Sequence, residues 1–152
     1  MEYIDGLSLS IDKGLDMAWS AAKAMPEDKL TWKVSDDTRT ARALLEELVT
    51  TAGFAAGLLR TKQMPSMEGG WGASADETLE ELEASCRSAY ADFLAAAKEF
   101  PEAEYAETVE LPWGTQSYLE MIQYPYWNLV YHYGQINFIQ TMYGIRNDIR
   151  VK

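Results

Sequence analysis

Apolar residues recur along the chain at steps of three and four in four separate runs, the spacing that lines one face of a helix. The first run, over 3–24, sets Ile4, Leu7, Ile11, Leu15, Ala18 and Ala22 on one side. Gly6 and Gly14 interrupt it, at about 1 kcal/mol each relative to alanine, and Pro26 closes it. The second run opens at Asp37 or Thr38, either of which serves as an N-cap, and carries Leu44, Leu48, Ala52, Ala55 and Leu59 as far as Arg60. Between the two, 27–37 reads as a loop with Leu30 and Trp32 tucked against the bundle.

The third run is predicted to start from a capping box of Ser74 with Glu77, in which side chains satisfy free backbone N–H groups at the helix end. Leu79, Leu82, Cys86, Ala89, Phe93 and Ala97 then share a face, with Glu80, Glu81 and Glu83 early, where negative charge suits the helix dipole. The fourth, 116–143, places Ile122, Leu129, His132, Ile136 and Ile139 together; Pro125 is predicted to kink it and Gly144 to end it. The Pro- and Gly-rich stretch Met64–Ala73 reads as a connector, and 100–115 as a long loop containing Leu111-Pro112-Trp113-Gly114. No strand-like alternation, internal repeat or second domain stands out. The expectation is an all-α four-helix bundle, one domain over 1–152, with the spatial order of the helices left open.

Composition narrows the function classes more than the fold. The 152 residues carry a net charge of −11, which repels a phosphate backbone and argues against nucleic-acid binding and against docking on anionic lipid. No stretch reaches the ~18 apolar residues of a membrane span, and the first residues lack a secretory pattern. The cytoplasm is therefore the expected compartment. Cys86 is the one cysteine, placed on an apolar stripe where a thiol more often packs than reacts.

The single histidine falls in the middle of a core stripe. Asn128 precedes His132 by one turn, at the i,i+4 spacing that sets side chains next to each other, and Gln135 follows within a turn. Polar groups beside a buried stripe need partners, since an unsatisfied one costs about 1–3 kcal/mol. Two readings follow: an imidazole held structurally by a carboxylate of a facing helix, or a ligand or acid/base group in the bundle core. Spacing alone favours the structural one. Other chemistry is absent from the pattern: one His and one Cys make no zinc finger, no Ser–His–Asp arrangement stands out, and Gly69-Gly70-Trp71-Gly72 lacks the flanking strand and helix of a phosphate loop.

The segment NLVYHYGQINFIQTMYG, 128–144, resembles the signature helix of the DinB/YfiT-like family, which shows His-x-x-x-His-x-Gly-Gln followed by an apolar run and a terminal glycine. His132, Gly134 and Gln135 match the second half of that pattern. LTWKVSDDTRTARALLEELV resembles the family's entry to helix two, with Trp32 at the aromatic position, and Pro112-Trp113-Gly114 the turn before the last helical region. The resemblance implies a four-helix bundle with a divalent metal, zinc or nickel, held by three histidines, two from the last helix and one from helix two. This chain keeps His132; the other positions fall at Asn128 and Glu47. Asparagine is a poor ligand for such metals, so the expected site is degenerate, and no metal is the favoured outcome. No residue is assigned a catalytic role. The expected function is that of a non-catalytic or small-ligand-binding bundle; the alternative is a metal-dependent enzyme of the thiol-transferase or hydrolase type. Tyr126, Trp127, Val130, Tyr131, Tyr133 and Phe138 make helix four apolar beyond its core stripe, and two covers are open for it: a second copy in a homodimer, or the chain's own long loops.

Overall fold

The computed structural model describes residues 2–65 and 77–144. Four helices, α1 (Glu2–Lys23), α2 (Ala41–Thr61), α3 (Leu79–Glu99) and α4 (Tyr118–Tyr143), form the body of the molecule. Around the bundle α1 packs on α4, α4 on α2 and α2 on α3, with a thinner α3–α1 contact closing the ring. The stripes identified in sequence meet in one cluster that includes Ile11, Leu44, Leu48, Leu82, Phe93, Leu129 and Ile136, all essentially inaccessible to solvent. Leu30 is buried and Trp32 half-buried against that cluster.

Gly14 has a packing role that helix propensity does not reveal. A Cβ at this position would lie 2.8 Å from Leu129 Cδ2, so its absence lets α1 and α4 approach. Gln140 on α4 ties the same pair together, its amide nitrogen donating to the Ala21 carbonyl at 2.5 Å. The Tyr90 hydroxyl crosses the core from α3 and donates to the Pro125 carbonyl at 3.0 Å, the partner a buried phenol requires. α4 is continuous through Pro125.

Three boundaries differ from the sequence expectation. α2 opens on Thr40, whose side chain accepts from Ala43 N–H, because the Thr38 hydroxyl is already engaged in a turn with Ser35. α3 is capped by Thr78 with Glu81, a complete capping box. The same Thr/Ser-x-x-Glu pattern occurs twice in succession, and the copy next to Leu79 and the buried Leu82 is the one used. Glu77 is non-helical, and Ser74, like most of the predicted connector and its glycine cluster, lies outside the described residues. α4 starts two residues late, at Tyr118, on a capping box of Ser117 and Glu120.

The long loop also contains a hairpin, where the sequence pattern predicts no strand. β1 (Thr108–Leu111) and β2 (Gly114–Ser117) pair antiparallel, with Leu111 opposite Gly114. Pro112-Trp113 forms the two-residue turn, and Gly114 takes φ +127°, a conformation open to glycine without strain. The hairpin is driven by burial at one point: Leu111 packs with Phe54, Leu58 and Met121 in a second, smaller cluster. Four-residue strands with one buried side chain between them leave almost no alternation to detect.

Candidate functional site

Asn128 and His132 project from the buried side of α4 toward α2, and Glu47 meets them from there. His132 Nε2 lies 3.1 Å from Glu47 Oε1. The Asn128 amide nitrogen lies 3.0 Å from His132 Nε2 and 3.3 Å from the same carboxylate oxygen. On the far edge of the ring, His132 Nδ1 and Gln135 Oε1 are 2.6 Å apart. The second Glu47 oxygen forms an ion pair with Arg39, whose guanidinium also reaches the Ala43 carbonyl at 3.3 Å. His132 is 3% exposed and Glu47 28%, so the network runs from the core to the surface. The Tyr131 ring lies tilted beside the imidazole, ring centres 5.3 Å apart.

The partners suit one neutral tautomer. Gln135 Oε1 can only accept, so Nδ1 carries the hydrogen and donates. Nε2 is then a lone pair, and the Asn128 N–H groups donate to it and to Glu47 Oε1. Burial holds the His132 pKa below its ordinary 6.5; the Gln135 bond opposes this and the Arg39 charge adds to it. The imidazole is therefore neutral at neutral pH. The carboxylate charge is answered by Arg39 rather than by the ring.

A divalent cation would need lone pairs converging on one point. His132 Nε2 and Glu47 Oε1 converge, but the third group directs N–H bonds at both of them. Among the described residues no set of three His, Cys, Asp or Glu side chains is placed to share an ion. As arranged, the three residues do not fit a three-ligand metal centre. Cys86 offers nothing in its place: it is fully buried, and burial pushes its thiol up to about 12.

Arg39 was not identified in the sequence, because it precedes the N-cap of α2 and has no helical register with Glu47. The only signal was a cation close upstream of a carboxylate-bearing helix face. Gln135 was visible as a polar neighbour of His132 on the same helix.

A four-helix bundle with a polar cluster between its second and fourth helices is the class of protein defined by this fold and site. The DinB superfamily profile matches residues 10–136, and the chain belongs to that superfamily. It is also similar to a crystal structure of a DinB-like protein, YjoA, from Bacillus subtilis, with a TM-score of 0.67 over 88% of each chain at 13% identity. That likeness is one of fold. No curated protein matches the chain. Among the described residues, no helix is long and apolar enough to cross a membrane.

Proposed function

We propose that this chain is a DinB superfamily protein in which a hydrogen-bonded network takes the place of a metal centre, and that the bundle serves as a non-catalytic or small-ligand-binding protein. The observation that carries this reading is the Asn128 amide, which donates to both His132 Nε2 and Glu47 Oε1. It occupies with hydrogen the point at which a cation would need lone pairs. Arg39 removes the remaining electrostatic reason to recruit one, by pairing with the other Glu47 oxygen. A small ligand with both donor and acceptor groups would meet Arg39 and Glu47 first, since these form the exposed end of the network.

The test is metal analysis of the purified protein, followed by calorimetric titration with Zn²⁺ and Ni²⁺ at neutral pH. The native chain is expected to retain no stoichiometric metal and to show no tight site. Asn128→His supplies a second imidazole one turn from His132 and completes a two-histidine, one-carboxylate set; this variant is expected to gain a site. One equivalent of tightly held metal in the native protein would overturn the reading.

One observation favours the alternative, a metal-dependent enzyme of the thiol-transferase or hydrolase type. Asn128 Oδ1 is buried without a hydrogen-bond partner among the described residues. A half-turn of the amide exchanges nitrogen for oxygen and would aim that oxygen at His132 Nε2 and Glu47 Oε1. The same titration separates the two arrangements.

A further inference from the structure

Among the described residues nothing covers the outer face of α4. Tyr124, Trp127, Tyr131, Phe138 and Met142 are 36%, 61%, 64%, 56% and 52% exposed. At the helical step of about 100° per residue they fall, with Gly134, within an arc of about 80°. The stripe is about 27 Å long at 1.5 Å per residue. From Met121 to Gly144 there is no Asp, Glu, Lys or Arg, in a chain whose net charge is −11.

We propose that this face is the contact between two copies of the chain, with the two α4 helices crossing antiparallel at Gly134. Three observations select a second copy over other occupants. The stripe reads alike from both ends: Tyr131 and Phe138 flank its centre at three and four residues from Gly134, and Trp127 and Met142 follow at seven and eight. A two-fold axis there brings Tyr131 against Phe138 of the partner subunit and Trp127 against Met142 of the partner subunit. Such self-complementarity is what a two-fold interface requires.

Charge gives the second argument. Two copies each carrying −11 repel at most approaches, and the uncharged face of α4 lets them meet without placing like charges together. A lipid-surface helix would instead carry Lys and Arg beside its apolar stripe, and α4 has none. The third argument is Gly134 itself. It is exposed, a Cβ would meet nothing within 4 Å, and glycine in a helix interior costs about 1 kcal/mol relative to alanine. Among the described residues of one copy nothing offsets that cost; a second backbone crossing there does. The exposed side chains amount to on the order of 500 Å² per copy at ~150–250 Å² per aromatic residue. Doubled, this reaches the ~1,000 Å² expected of a genuine, modest interface.

Sedimentation equilibrium at tens of micromolar should give twice the 17.1 kDa of the chain. Tyr131→Glu and Phe138→Glu each add a charge at an exposed position and should return the 17.1 kDa species with the helical circular dichroism intact. Crossing geometry is read by mild oxidation. Gly134→Cys sits at the axis and should link to itself, as should the double variant Trp127→Cys with Met142→Cys, whereas Trp127→Cys alone should not. A native protein that is monomeric throughout, a dimer that survives both glutamate variants, or self-linking of Trp127→Cys alone would overturn the proposal. So would a monomer that floats with neutral phosphatidylcholine vesicles, which would make the stripe a lipid contact.

Discussion

His132 shows how one side chain can be placed by its sequence neighbours and yet be defined by residues far from it. Its burial was legible from Leu129, Ile136 and Ile139, which share its stripe, and Asn128 was legible from the i,i+4 step. Glu47 came only through the family resemblance, and Arg39 not at all, since contacts between a pre-helix loop and a distant helix leave no local periodicity. The charge state that results is measurable. The unfolded imidazole titrates near 6.5 and the folded one lower, so between those two values the unfolded chain binds more protons. The stability contributed by the neutral ring is full above about 6.5 and is lost as pH falls toward the folded value. With one histidine in the chain, its ring-proton resonance is unambiguous in NMR. Its midpoint is expected below 6.5; a midpoint above it would mean that Glu47 holds an imidazolium instead.

At the scale of the element, the four helices were legible because each presents an apolar stripe to the same core, and their boundaries were less so because several polar residues could act as caps. Thr38 and Thr40, or Ser74 and Thr78, offer the same capping chemistry; the Thr38 hydroxyl is taken up by its turn with Ser35, and Thr78 stands next to the apolar residues that must pack. The hairpin leaves little trace in the sequence because only Leu111 of its first strand is buried. The two glycines of α1 separate propensity from packing. Gly6 is exposed with open space around it, whereas Gly14 faces Leu129. Gly6→Ala should stabilise the protein by ~0.5–1 kcal/mol. Gly14→Ala should destabilise it by ~1–3 kcal/mol, because an added methyl in a close-packed core forces its neighbours off their rotamers. Urea unfolding of the two variants, run together, checks both signs; a stabilised Gly14→Ala would show that Leu129 moves aside freely.

Over the whole molecule, an acidic surface is tied together by a few cations that link neighbouring helices. Arg60 grips Asp92 with two bonds of 2.7 and 2.6 Å between α2 and α3, and Arg87 and Lys98 each reach 2.9 Å to Asp16 and Asp5 on α1. Such exposed pairs contribute little each, so cohesion rests on the shared core. Cys86 sits inside that core, its sulfur shielded by the helices around it and its thiol raised to about 12. A thiol reagent needs both access and the thiolate, and the folded bundle denies it each. Labelling of Cys86 by a maleimide should therefore wait for the helices to separate, and at moderate reagent concentration its rate should follow the opening equilibrium. The chain thus carries its own gauge: a mass shift of one adduct per molecule, timed in dilute urea, reports what fraction of the bundle stands open without any engineered label.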